Sequence, residues 1–302
     1  MIFFEYLING LLFGATYSLV AIGFTLIFGV LNRLNIAHGA TIMVAAFAGA
    51  YVSLRLGGKD SYYVLVFAFV IAVISGALLG ILVRAVAFAP LRNASPLAPF
   101  VTSAAVTVIL EEVFVLISRR VPLFSPEFSQ FPSPLENLVF FVGPVLIRGA
   151  YVVNFVIAVL LMVSLHWWIT QTRMGRAIRS VEENPTMAWL LGINVRRVEV
   201  TVFAVASAIA GAAGCLIGVA MGTVGPFMGA NLLLTGFVIL VLAGLGSLRG
   251  AMICGLIVGV IEMTIVGMVS ASMKEAVLFI ILFAVLLIRP QGLFSGPEAK
   301  RD

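Results

Sequence analysis

Apolar runs of membrane-crossing length alternate along this chain with short seams that carry charge, Gly or Pro. A helix needs about 20 predominantly apolar residues to cross a hydrocarbon core of about 30 Å. Such runs lie at 5–31, 36–55, 62–84, 98–118, 151–169, 198–220, 231–247, 250–269 and 275–289. The pattern predicts an all-α fold, a polytopic transmembrane helix bundle of about 8–9 membrane helices that fills residues 1–302 as a single domain. The run at 231–247 is the exception, because Gly244, Gly246 and Gly250 suit a broken or re-entrant helix.

Between the fourth and fifth runs, Pro122, Pro126, Pro132, Pro134 and Pro144 exclude a continuous helix. Only 138–147 is apolar there, too short to span. Residues 119–150 are therefore expected to form an ordered external loop with room for a short interfacial piece. Small residues recur every fourth position at Gly10, Gly14 and Ser18, and at Ala72, Gly76 and Gly80. They recur again at Gly214, Gly218 and Gly222, and at Ala251, Gly255 and Gly259. In lipid such stripes let helix backbones approach closely, so they predict a compact bundle before they predict a substrate path.

Composition agrees and removes several function classes. The chain is 62% hydrophobic and 10% charged, with mean hydropathy +1.18, where soluble domains carry about 25% charged residues. No polar segment is long enough for a soluble catalytic domain. The phosphate-loop pattern G-x-x-x-x-G-K-[ST] is absent; Gly58-Lys59 lacks the earlier Gly and is followed by Asp60. The chain is not expected to be an enzyme, and any ATP hydrolysis falls to partner subunits. Two His and two Cys give no metal-ligand spacing, so neither metal nor cofactor is expected. Cys215 and Cys254 read as small packing residues. Glu5 is the one early charge, with no basic segment and no small-residue cleavage site, so the first run is expected to be retained. The net charge of +5 comes from basic loops and gives no reason to expect nucleic acid.

Orientation follows from the basic residues. The loop 170–197 holds Arg173, Arg176, Arg179, Arg196 and Arg197 and is expected to be cytoplasmic. Counting outward places the N-terminus outside and the C-terminus inside, with Arg33, Arg84, Arg92, Arg249 and Arg289 also inside. His166-Trp167-Trp168 then closes the fifth helix at the headgroup level.

That loop has structure of its own. Pro185 suits a helix start with Asn184 as its N-cap. Met187, Trp189, Leu190 and Leu191 then form a short apolar helix that Gly192 ends. Such a helix can dock on lipid or on a protein, and exposed Trp and Met favour a protein groove.

With these seams in view, the chain resembles the LivH-type permease subunits of branched-chain amino acid ABC importers. Asn35-Ile36-Ala37-His38-Gly39 is similar to that family's Asn-Phe-Ala-His-Gly signature. Pro90-Leu91-Arg92, Gly175-Arg176-Ala177-Ile178-Arg179 and Leu191-Gly192-Ile193 match in order. So do Gly244-Leu245-Gly246-Ser247, Arg249-Gly250-Ala251 and Arg289-Pro290-Gln291-Gly292-Leu293-Phe294. The resemblance implies a bacterial inner-membrane importer with a second permease subunit, two cytoplasmic ATP-binding subunits and a periplasmic or extracellular substrate-binding protein. It also implies that the 170–197 loop enters a groove on the ATPase through a Glu-Ala-Ala-x-x-x-Gly coupling element. Here Thr186-Met187-Ala188 precedes Trp189-Leu190-Leu191-Gly192, so only the second Ala and the Gly are kept. The acidic position is Thr186, and Glu182 and Glu183 stand just upstream as the available charges.

Ionisable groups inside the hydrocarbon are costly and often functional. Glu111, Glu112 and Glu262 are the candidates. Glu111 and Glu262 each fall about 12 or 13 residues past the cytoplasmic helix end, roughly 18–20 Å along the helix. Facing a pathway, they would meet the ammonium of an amino acid; facing a neighbour, they pair with helix donors. The family has a Glu at the position of Glu262, whereas Glu111 and Glu112 are adjacent and cannot both face one pathway. His38, beside Gly39, is read as holding the turn between the first two helices, with a proton relay as the other reading. Arg249 and Gly250 are read the same way before the eighth helix. A stand-alone secondary transporter or channel for small polar solutes such as amides or urea is the alternative function, but it has no use for a docking loop.

Overall fold

The computed structural model describes residues 2–57, 61–91, 94, 95, 97–121, 129–135, 138–142 and 145–294. Arg92, Gly58 to Asp60, and Pro122, Pro126 and Pro144 of the proline-rich segment lie outside the described residues. Among the described residues eleven α-helices follow one another: α1 (Ile2–Leu31), α2 (Ala37–Arg55), α3 (Tyr62–Val83), α4 (Leu97–Arg120), α5 (Gly149–Gln171), α6 (Arg173–Glu183), α7 (Pro185–Leu190), α8 (Val195–Met221), α9 (Met228–Ala243), α10 (Leu248–Met268) and α11 (Lys274–Ile288). Among the described residues, eight helical stretches are long and apolar enough to cross a membrane. The run expected at 231–247 is α9, 16 residues long where a full span takes about 20, and it ends at the α6 side of the bundle, where Gly246 approaches Glu182. It stops where Gly244 turns to φ 96° and Gly246 to φ 88°, a left-handed region that a Cβ disfavours.

Helices α1 and α8 are buried over most of their length and form the centre, while α4 and α11 are largely exposed at the periphery. The small-residue stripes explain why these pairs form. Gly10, Gly14 and Ser18 of α1 face Gly255 and Gly259 of α10. A Cβ at Gly10 would lie 2.7 Å from Val260 Cα, and one at Gly14 would lie 2.9 Å from Gly255 O. On α3, Gly76 and Gly80 lie against Ser207 of α8 in the same way. The third stripe divides its work: Gly214 meets Ile42, Gly218 meets Phe131, and Gly222 is the left-handed C-cap of α8 at φ 70°.

The described part of the proline-rich segment contains short strands. The strands β2 (Val139–Val142) and β3 (Val145–Arg148) pair antiparallel over the one apolar stretch, with Phe140 opposite Ile147. Strand β1 (Ser129–Gln130) pairs with β4 (Thr223–Val224) just beyond α8. Asn9 Nδ2 donates to Leu146 O at 2.9 Å and ties the hairpin to α1. The apolar stretch at 138–147 is thus the hairpin, its backbone polar groups satisfied across the ladder. At the other end of the bundle the Gln291-to-Phe294 segment folds back under α9, where Leu293 N donates to Leu242 O at 2.9 Å and Phe294 N to Ala243 O at 3.0 Å.

Candidate functional site

The seam between α5 and α8 is built from caps. Thr172 Oγ1 accepts from Gly175 N at 3.0 Å and starts α6. Asn184 Oδ1 accepts from Thr186 N and Met187 N, both at 3.0 Å, with Pro185 at the first helical position of α7. Gly192 closes α7 at φ 83°, and Ile193 N returns to Ala188 O at 3.0 Å. Asn194 Oδ1 then accepts from Arg197 N at 3.0 Å to start α8. Three side-chain caps within 23 residues, from Thr172 to Asn194, fix a helix–turn–helix–turn that the seam's polar sequence could not hold by packing alone.

The result is a polarised knob. Ala188 is buried against the bundle, whereas Met187, Trp189, Leu190 and Leu191 are 58% to 80% exposed. Four large apolar side chains displayed on one capped turn form an exposed patch of the kind that marks an interaction surface. The acidic pair divides. Glu183 is exposed. Glu182 is exposed over much of its surface, yet its carboxylate turns inward: a Cβ at Gly29 would lie 2.6 Å from Glu182 Oε1, and one at Gly246 would lie 3.3 Å away. The desolvation there raises the Glu182 carboxyl above its ordinary range.

Sequence reasoning read the seam's single short helix and missed α6, although Gly175, Ile178 and Val181 are its buried face at helical spacing. It also missed an ion pair beneath the knob. After α3 the helix continues as one π-helical turn, Arg84–Phe88, and buried Arg84 donates from Nη2 to Glu199 Oε2 of α8 at 2.7 Å. A cavity of about 470 Å³ is lined by both members of this pair, by Arg33 and Arg196, and by Pro185 of α7.

The intramembrane candidates stand apart. Glu111 and Glu112 sit on peripheral α4, which packs on α2 and on the π-helical turn, with Glu112 exposed. Glu262 is buried on α10, where Oε1 accepts from Tyr17 Oη at 2.8 Å and from Lys274 Nζ at 3.2 Å. His38 is fully buried; its backbone N donates to Asn35 O at 3.3 Å in the turn, while its ring lies 4.4 Å from that of Phe24 and is pressed on Gly23. Gly39 instead marks a close approach, since its position leaves no room for a Cβ beside Gly229 O. Before α10 the cap is Ser247 Oγ, which accepts from Gly250 N at 3.2 Å, while Arg249 is exposed. Gly250 is packed, with a Cβ there 2.8 Å from Ala243 O.

The family model described as the branched-chain amino acid transport system / permease component matches residues 6–286. The high-affinity branched-chain amino acid transport system permease protein LivH of Salmonella typhimurium is 34% identical over 309 residues, covering 99% of this chain and 97% of the relative. LivH of Escherichia coli is 33% identical over 305 residues, with the same coverage. The corresponding BraD of Pseudomonas aeruginosa is 31% identical over 306 residues, covering 99% and 98%. No solved structure gives a significant match.

Proposed function

The chain belongs to the family of permease components of branched-chain amino acid transport systems, and we propose that it is the membrane subunit of an ATP-binding-cassette importer whose knob α7 docks in a groove of a cytoplasmic ATPase. The carrying observation is that knob: a helix ordered by Asn184 and Gly192 that turns Met187, Trp189, Leu190 and Leu191 away from its own bundle. Glu182 braces α6 against Gly29 and Gly246, and Glu183 is the acidic group free to meet the ATPase. Pro185 of α7 shares a cavity wall with Arg84 and Glu199, the pair that joins the π-helical turn to α8. The substrate is a branched-chain amino acid, as the relatives' names suggest, or another small amino acid. A second permease subunit completes the pathway, a binding protein delivers the substrate, and the assembly sits in the inner membrane with the N-terminus outside.

Copurification tests the reading. Extracted from its native membrane in mild detergent, the chain should retain an ATPase and a second permease. Purification alone, together with ATP-independent passage of amides or urea in vesicles, would establish the stand-alone channel instead. Orientation has its own check, because Cys215 and Cys254 are both buried and give little background labelling. In intact cells Ser272→Cys, on the exposed turn before α11, should react with a membrane-impermeant maleimide, and Ser180→Cys on α6 should not. The reverse pattern would invert the topology.

A further inference from the structure

Glu262 is a carboxylate with half of its acceptor capacity engaged. Both of its donors, Tyr17 and Lys274, converge on Oε1, while Oε2 is buried with no partner. A buried carboxylate oxygen without a donor is expensive and rare. The two donors also line a cavity of about 300 Å³ where α8 ends and α9 and α11 begin. Asn231 and Thr235 add polar groups to its wall, and Ile217 and Leu232 add apolar ones. That volume is at the small end for ligand sites, and a mainly apolar wall with a few convergent polar groups is the usual form of one. The Lys274 side chain is 27% exposed and the Glu262 side chain 9%, so the lysine is the member able to move.

We propose that this cavity is a subsite for the zwitterionic head group of the transported amino acid, bound by exchange of the Glu262–Lys274 pair. The substrate ammonium takes the place of Lys274 Nζ at Glu262 and supplies the donor that Oε2 lacks. Lys274, released, swings to the substrate carboxylate. One ion pair becomes two and no net charge enters the apolar wall, which keeps the desolvation cost low. The apolar wall receives the side chain. This rests on the amino acid permease reading and adds Lys274 and Tyr17 to it.

A structural staple between α10 and α11 predicts something different, and three variants separate the two. In proteoliposomes holding the complete importer with its binding protein, uptake of a radiolabelled amino acid mixture is measured at limiting substrate. Lys274→Met and Glu262→Gln should each lower uptake by about tenfold or more, the scale of a lost charge-assisted hydrogen bond. The double variant Glu262→Gln/Lys274→Met leaves no unpaired charge, should still copurify with its partner subunits, and should remain as slow as the single variants. Lys274→Arg should recover most of the uptake. Recovery of uptake in the double variant, or unchanged uptake in Lys274→Met, would overturn the subsite and leave a staple. A wild-type complex that accumulates no amino acid would instead remove the amino acid reading itself, and this inference with it.

Discussion

Gly259→Ala should already destabilise the bundle, and Gly259→Leu should leave little folded protein in detergent. The Cβ position at Gly259 overlaps Gly14 Cα across the α1–α10 seam, with Gly10 O at 2.7 Å beside it. These are backbone atoms, so no side chain can swing aside to make room. Inserting atoms into a packed core costs about 1–3 kcal/mol, and more where only helix displacement relieves the clash. The α1 helix is central, packed on α5, α6, α8, α9 and β3 as well as α10, so moving it disturbs every one of these interfaces. Ile257→Leu, on the exposed side of the same helix, is the control and should be nearly neutral. Fluorescence-detected size-exclusion after a temperature ramp measures the result. Equal melting of Gly259→Ala and wild type would show that the seam is slack and that the stripe is not what holds it.

How much of this was legible in the sequence depends on the kind of signal. Apolar length is a local property, so the eight long spans could be read directly, and the stripes announced close packing without naming partners. Partner choice is set by the whole bundle: only the structure pairs Gly14 with Gly255 and sends Gly218 to Phe131. The hairpin at 139–148 was hidden because its apolar stretch is short and interrupted by Pro144, and a strand is recognised by a ladder that one segment does not display. The caps at Asn184 and Gly192 were plain because Asn-Pro and Gly are chemical punctuation, and the knob followed from them.

The candidate site was legible only in halves. A lone Glu in an apolar run stands out, so Glu262 could be singled out, but a Tyr in such a run does not, and Lys274 lay just beyond the predicted span. Their convergence needs the turn at 269–273 to bring α11 back along α10. His38 shows the same division: its backbone N donates to Asn35 O at 3.3 Å in the turn, as its position suggests, whereas the packing of its ring on α1 at Gly23 and Phe24 needs the folded bundle.

Trp189→Ala should abolish ATP-driven uptake while leaving the bundle intact. Trp189 is 67% exposed and turned away from its own chain, so truncation removes almost no internal packing. Aromatic anchors seated in a partner's groove commonly lose about 2 kcal/mol or more on truncation, which is roughly a thirtyfold weakening. ATPase copurification should fall accordingly, with the melting temperature unchanged. Gly192→Val reaches the same endpoint by another route. No atom lies within 4 Å of a Cβ there, so nothing clashes, and the cost is purely that of holding a β-branched residue at φ 83°. That cost is about 1–2 kcal/mol and falls on the helix end, so it misaligns the knob rather than trimming it. Gly192→Asn, which tolerates the left-handed region better, should recover part of the coupling that Val loses. Full uptake with ATPase bound in Trp189→Ala would sink the docking reading and return α7 to the lipid surface.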